Sequence, residues 1–422
     1  MSNKTRRLKI LVISEVYPNP VDPARGIYVE RQTFGLRKYC DQTVVVPTRV
    51  FPHLYLWKNG FNFRGIIKRW HEWEMNLNRI PNRGEISEIT VLYPRYSSLP
   101  RQGFNGLWGF FAYAFLKRQL EFLHKKYFFD LVHVHNASLC GVIALLARRW
   151  MGIPIVLSVH GVDLTYTVRQ RPIGSSVIHW TFKNVDLICT NSSWTTAQAV
   201  RYGADPKKVK LVRLGGNFHY DFSVQQEGSS RSKTALLSVG YLTRSKGHAY
   251  VLESLRLLLT LGYDLDYIIV GDGPERSKLQ AQAERLGINK FVHFMGVRPH
   301  NDVANYFAAC DIFVLPSWIE TFGAVYIEAL GFGKPIIGCV GAGGPEDLKA
   351  LGDCVELVKP KDVPSLVDAI RRLIDDPAKR ERMGRIGREI VRQYFTWERN
   401  AAATIEIYRN LVECTNCERT AR

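Results

Sequence analysis

None of the 422 residues belongs to an uninterrupted apolar run of the roughly 18 residues that a membrane-crossing helix requires. The nearest approach, residues 104–116, is aromatic-rich but contains Asn105 and two glycines and runs into Lys117 and Arg118. The basic residues Lys4, Arg6 and Arg7 precede an apolar stretch that turns at once into Ser14, Glu15 and Pro18, too short for the centre of a signal peptide. The expectation is a first strand and a cytoplasmic protein. Paired cysteines are also lacking. The eight cysteines stand singly, mostly in apolar contexts as buried thiols do, except for Cys414 and Cys417. One such pair is half of a structural zinc site, and no second pair or histidine pair accompanies it, so no metal is expected. Helix-turn-helix, zinc-finger and RNP patterns are absent, which argues against nucleic acid.

Acidic residues are scarce in one half only. The chain has 57 lysines and arginines against 39 aspartates and glutamates, a net charge of +18. Residues 1–220 hold 31 of the basic and 13 of the acidic residues, so the whole excess lies there and the remainder is balanced at 26 and 26. A one-sided basic half suits an anionic partner: an acidic membrane surface, a phosphorylated lipid or an anionic glycan. Solubility alone is the plainer reading of the same charge. With 46% hydrophobic and 23% charged residues, the composition is that of a globular protein rather than a disordered or fibrous one. The length suggests two domains.

Apolar runs of strand length occur at 8–13, 44–47, 90–93, 130–135, 155–159, 186–190 and 210–214, separated mostly by residues of helical pattern such as 116–126, 141–150 and 195–202. A polar stretch at 215–232, rich in glycine and serine, reads as a linker. The alternation then restarts at 235–239, 267–270, 291–294, 312–315, 335–338 and 355–358. From residue 364 onward the pattern is helical, with breaks at 375–377 and 395–397. Alternation of this kind predicts parallel sheets covered by helices on both faces. The expected organisation is an α/β domain over 1–220, a second over 221–395, and a terminal helix over 396–422 that crosses back to the first.

Ligands of such sheets sit at the carboxyl ends of the strands, so the residues after each run carry the chemistry. After 235–239 come Gly240, Tyr241, Arg244, Lys246 and Gly247, a strand-to-helix loop with a guanidinium fork and an ammonium suited to phosphate. After 267–270 come Gly271, Asp272, Gly273 and Pro274, a tight turn without the third glycine of a dinucleotide fingerprint. After 312–315 come Glu320, Thr321, Phe322 and Gly323, then a helix containing Ala324, Val325 and Glu328. The leading N–H groups of that helix, from Phe322 to Val325, would form an anion site suited to a diphosphate. Glu320 and Glu328 are eight residues apart, roughly 8 × 100° if helical throughout, which sets them on about the same side. Carboxylates accept from vicinal hydroxyls, and a sugar nucleotide offers two such sets. In the first half, His160 follows a strand and precedes Gly161 and Asp163, while His133 and His135 alternate along one strand with no third ligand evident. The two strand histidines read as structural or cleft-lining.

The segment from Glu320, Thr321, Phe322 and Gly323 to Glu328, Ala329 and Leu330 resembles the E-x7-E signature of the family-4 retaining glycosyltransferases of GT-B fold. Gly240, Lys246 and Gly247; Gly271 to Pro274; Cys310 and Asp311; Pro316 and Ser317; Gly333, Lys334 and Pro335; and Gly343, Gly344, Pro345 and Glu346 stand in that family's order. The loop from Pro18 to Gly26 and the loop from His160 to Asp163 resemble its first-domain motifs.

The resemblance implies two doubly wound Rossmann-like domains facing a central cleft. It assigns Glu320 to the hydroxyls of the donor sugar, Glu328 to the ribose, and Arg244 and Lys246 to the leaving diphosphate. Amides near Gly26, Phe322 and Gly323 would help them, and His160 would contact the sugar near its anomeric carbon. Gly240, Gly271, Thr321, Ala324, Val325 and Arg298 complete the donor site it implies, Arg298 beside the base. The implied reaction is retaining transfer of a hexosyl group from a UDP- or GDP-sugar to a saccharide or lipid-linked hydroxyl, without a metal. No DxD metal motif stands in a loop of this chain, in agreement with that. Two departures are notable. Tyr241 occupies a position where many members have arginine, and Gly215 to Tyr220 replaces the family's N-G-V-D segment. A nucleotide-sugar epimerase of related fold and a non-catalytic nucleotide-sugar-binding protein are the alternatives. The basic half and residues 104–115 make a peripheral membrane surface the expected location of the acceptor.

Overall fold

A computed structural model describes residues 6–50, 63–98, 105–169, 172–216 and 233–420. Most of the linker expected at 215–232, with the segment from Asn217 to Tyr220, and Phe104 of the aromatic stretch lie outside the described residues. The chain divides into two compact units, one formed by Met1–Asn191, Thr195–Gly215 and Trp397–Arg422, the other by Ser192–Trp194 and Gly216–Thr396.

The first unit contains β1 (Leu8–Ser14), β2 (Cys40–Val45), β3 (Thr48–Arg49), β4 (Arg83–Ile86), β5 (Ile89–Leu92), β6 (Arg95–Tyr96), β7 (Leu131–His135), β8 (Ile155–Val159), β9 (Leu187–Thr190) and β10 (Val209–Leu211). Eight of them form a sheet in the order β10-β9-β8-β7-β1-β2-β5-β4, parallel except where β4 pairs with β5. The chain winds from β1 outward through β2 and β5, then returns to the other side of β1 with β7. The β1/β7 boundary is therefore the topological switch point. Ile10, Leu11, Val12 and Ile13 are all buried, without alternation, as expected of a strand covered on both faces. Beyond the ends of β2 and β5 the chain continues as β3 and β6, a short parallel pair that registers Arg49 against Tyr96.

The helix Trp397–Thr420 belongs to this unit. Its buried Ala401, Ile405, Tyr408 and Val412 recur at helical spacing and join the core containing Ile10, Val44 and Val156. It lies against the helix Ile27–Leu36, where Gln32 donates to Asn400 at 2.9 Å.

The second unit has a six-stranded sheet, parallel throughout, of β11 (Thr234–Val239), β12 (Leu265–Val270), β13 (Val292–Gly296), β14 (Ile312–Val314), β15 (Ile336–Cys339) and β16 (Val355–Val358). Its order is β13-β12-β11-β14-β15-β16, with the switch point between β11 and β14. The break expected at 375–377 is a capped junction. Asp376 accepts from the Lys379 amide at 2.8 Å and Pro377 opens the next helix, Pro377–Tyr394. Among the described residues no helix is long and apolar enough to cross a membrane.

Candidate active site

In the first unit the polar groups gather at the β1/β7 switch point. His133 and His135 do project to one side of β7, with ring centroids 4.4 Å apart, and both are buried. The sequence shows no third group beside them; the structure supplies one from the loop after β8. His160 stacks on His135 with an interplanar angle of 7°, and its Nε2 lies 2.8 Å from His135 Nδ1. Next along β7, His133 Nε2 is 2.8 Å from the Ser158 hydroxyl and its Nδ1 is 2.5 Å from the Tyr408 hydroxyl on the terminal helix. Burial holds all three imidazoles neutral: His133 is lowered to about 3, His160 to about 4, and His135 well below the ordinary histidine value, the other histidines adding to burial for His135 and His133. No group of three or more histidine, cysteine or acidic side chains suited to a metal occurs among the described residues. Cys414 and Cys417 are exposed.

A cavity of about 180 Å³ opens over this cluster, lined by His135, His160, Glu15, Arg25, Tyr28 and Asp163, with Asn136 at its wall. Tyr28 tilts against His160 at 4.6 Å. Asp163 is buried and accepts from the Ala137 amide at 2.9 Å and the Ser138 amide at 3.4 Å. Burial nevertheless pushes it up to about 6, because the amides offset only part of the desolvation. Gly26 caps the helix Ile27–Leu36 at φ +64°, and a Cβ there would fall 2.5 Å from the Val16 carbonyl oxygen. The loop after β1 can approach that helix only because position 26 has no side chain.

In the second unit the loops after β11 and β14 meet at the switch point. Arg244–Lys246 form a 3₁₀ turn leading into the helix His248–Thr260, and the Trp318 amide donates to the Ser245 carbonyl, tying the two loops together. Lys246 Nζ is 2.6 Å from Glu320 Oε2, with the lysine side chain 22% exposed and the carboxylate 10%. The other Glu320 oxygen accepts from the Thr321 amide at 3.2 Å. Behind them, Gly344 adopts φ +57°, and a Cβ on it would sit 1.8 Å from the Phe322 carbonyl oxygen. The loop after β15 thus presses directly on the Glu320 loop.

The helix Ala324–Gly331 begins after Gly323 in a left-handed conformation. Residues 320–323 are not helical, so the 8 × 100° estimate does not describe Glu320; only Glu328 is placed by helical geometry. Among the described residues the amides of Phe322, Gly323, Ala324 and Val325 have no backbone acceptor. Glu328 is half-buried, and its carboxyl has no hydrogen-bond partner among the described residues. Burial alone lifts it to about 7.

The remaining expected donor residues are distributed unevenly. Gly240 and Gly271 directly follow β11 and β12 and lie against each other, whereas Tyr241 and Arg244 are exposed, and among the described residues no hydrogen bond joins one to the other. Arg298 is exposed beyond β13, two strands from β11, and among the described residues no hydrogen bond or ion pair joins it to Lys246 or Glu320. Sequence reasoning missed Glu15, Tyr28, Ser158 and Tyr408, and gave Asp163 no role. Their partners are distant in the chain, so no local spacing signals them.

The model of the glycosyl transferases group 1 matches residues 220–390, and that of the glycosyl transferase 4-like domain matches residues 80–215. A putative teichuronic acid biosynthesis glycosyltransferase, TuaC of Bacillus subtilis, is 27% identical over 96% of this chain and 99% of its own. A 2-deoxystreptamine glucosyltransferase of Streptomyces kanamyceticus is 25% identical over 69% of this chain and 80% of its own. Among solved structures, sucrose-phosphate synthase of Thermosynechococcus elongatus superposes with a TM-score of 0.73 at 22% identity, covering 97% of this chain and 100% of that one. Anabaena HepE in complex with UDP superposes at 0.69 and 19%, covering 96% and 100%. The chain belongs to the group 1 glycosyltransferases of GT-B fold. It is a sugar-transferring enzyme.

Proposed function

We propose that the protein transfers a hexosyl unit, with retention of anomeric configuration, from a UDP- or GDP-sugar to a hydroxyl of a saccharide or lipid-linked acceptor in glycoconjugate biosynthesis. The observation that carries this is the Lys246–Glu320 pair at the β11/β14 switch point, beside four amides that have no backbone acceptor among the described residues. In this reading the donor diphosphate lies on the amides of Phe322, Gly323, Ala324 and Val325, with Thr321 beside them, and attracts Lys246 away from Glu320. The freed Glu320 carboxylate then accepts from hydroxyls of the sugar, and Glu328 from the ribose. Gly26, Gly240 and Gly271 provide close backbone approach, Arg244 adds charge at the diphosphate, and Arg298 lies toward the base. As the bond from C1 to the phosphate oxygen breaks, the acceptor oxygen bonds to C1 on the same face and passes its proton to the leaving phosphate. Lys246 and the amides stabilise that departing charge, which supplies the electrostatic part of catalysis. His160, neutral and braced, contacts the sugar without adding charge. In this reading Lys246, Arg244 and the amides offset the leaving charge, with no metal.

By their descriptions the named relatives are a teichuronic acid biosynthesis glycosyltransferase and a 2-deoxystreptamine glucosyltransferase, and HepE is in complex with UDP. These support a nucleotide-sugar donor and a saccharide-type acceptor. A cytoplasmic enzyme reaching an acidic membrane surface through its basic first unit agrees with the charge asymmetry. A thermal-shift panel of nucleoside diphosphates tests the reading: UDP or GDP should raise the melting temperature without added metal, by an amount set by concentration over Kd. If no nucleotide shifts it, the proposal fails. The anomeric configuration of the product, read by NMR, tests retention. Epimerised sugar formed from donor alone would favour the epimerase alternative.

A further inference from the structure

A second cavity, of about 260 Å³, lies in the first unit next to the one over His160. Glu15 and Arg25 line both, so the two spaces share a wall. Arg25 Nη2 donates to the Glu15 carbonyl at 3.3 Å, which holds the guanidinium at that boundary, and no carboxylate lies within ion-pair distance of it among the described residues. On the far side Arg49 comes from β3 and Tyr96 from β6, paired in register. The Arg49 guanidinium lies over the ring of buried Trp108, 4.3 Å from its centroid, a cation–π contact that fixes its position. Trp73, on the helix Phe63–Arg79, is half-buried at the cavity wall.

A space with an aromatic wall, two guanidinium groups and one carboxylate is not a site for a hydrocarbon. An aromatic ring offers its electron-rich face to the C–H face of a pyranose. Two positioned arginines match the planar oxygens of a carboxylate or phosphate. Neither Lys246 nor Glu320 contributes, so the donor's diphosphate has its own site elsewhere and this cavity is left for the other substrate.

We propose that this cavity binds an anionic saccharide unit of the acceptor, its ring against Trp73 and its carboxylate or phosphate held between Arg25 and Arg49. The assignment rests on the glycosyl-transfer reading above and deepens it by naming the acceptor's charge. The bound unit presents a hydroxyl past Glu15 toward the His160 cavity.

Saturation-transfer NMR on the intact protein with methyl β-glucuronide, glucose 6-phosphate and methyl β-glucoside tests this, with UDP and GDP binding measured in parallel. At least one anionic probe should bind about 10-fold more tightly than the glucoside. Binding of the glucuronide alone assigns a carboxylate, and of glucose 6-phosphate alone a phosphate. Arg49→Gln should weaken the anionic probe about 10-fold and leave the glucoside and nucleotide unchanged. Trp73→Ala, at a partly exposed position, should weaken all three saccharides. Equal binding of charged and neutral probes, binding of none, or no effect of Arg49→Gln would each overturn the proposal. If an anionic probe binds but neither nucleotide does, the cavity assignment stands and the transfer reading falls.

Discussion

At the β1/β7 switch point of the first unit, burial strips the histidines of charge. Three histidines stack as neutral rings, and Asp163 is pushed up to about 6 despite two amide donors. At the β11/β14 switch point of the second unit, Lys246 and Glu320 lie 2.6 Å apart on loops, mostly shielded but still reached by solvent. Both points are built from the carboxyl ends of parallel strands, yet one centres on a stack of neutral imidazoles and the other on a charge pair that can be exchanged. The difference teaches that the net charge of each half is no guide to which groups at its switch point are ionised: the balanced unit brings an ion pair there. The unit holding the whole +18 excess keeps its buried histidines uncharged.

The contrast is broken most severely on the charged side. Glu320→Gln and Lys246→Ala are each expected to lower kcat about 10²–10³-fold, since each removes a preorganised group at the developing charge. Nucleotide-release assays check this, and a double variant should cost less than the two singles combined because the residues touch. On the neutral side, His160→Ala should lower kcat about 100-fold through lost positioning, with the affinity for nucleoside diphosphate unchanged by calorimetry. Equal losses in kcat and nucleotide affinity would erase the distinction between the two sites.

Glu328 sharpens the comparison with pH. Its carboxyl is raised to about 7 in the ligand-free protein, so the acceptor form that ribose needs is incomplete at pH 6. Nucleotide affinity should rise between pH 6 and 8, and Glu328→Gln should bind about 10-fold more weakly at pH 8 with a flattened profile. The stability sign is opposite. A carboxyl raised by folding contributes stability that is complete below its unfolded value near 4.5 and is lost as pH rises through about 7. Melting curves should therefore show Glu328→Gln gaining on the parent protein from pH 5 to pH 8. The smallest effect is expected for Tyr408→Phe, which deletes the hydroxyl next to His133 and should cost about 1 kcal/mol of stability and little activity.

The strands were legible because fully covered parallel strands are continuous apolar runs, and those at 155–159 and 355–358 agree with the structure at both ends. The hairpin of β4 and β5 was not. Its two-residue turn is Ser87 and Glu88, both at positive φ, where the usual signal would be asparagine and glycine. The helix Phe63–Arg79 was missed too, since its apolar residues are partly exposed: Ile67, Trp70 and Met75 are each near half exposure. At the candidate site, motif order led to Lys246, Glu320 and Glu328 separately. Nothing in the spacing says that Lys246 and Glu320 touch, because they are 74 positions apart and only the β11/β14 adjacency joins them. The same holds for His135 with His160, brought together by the pairing of β7 with β8.

The helix Trp397–Thr420 completes the core of the first unit although it follows the whole second unit in the chain. During synthesis the second unit can therefore close while the first still lacks Ala401, Ile405 and Tyr408, and must wait on the ribosome with part of its apolar surface open. A premature stop near residue 396 would spare every donor-side residue discussed above and still deny the enzyme its other half.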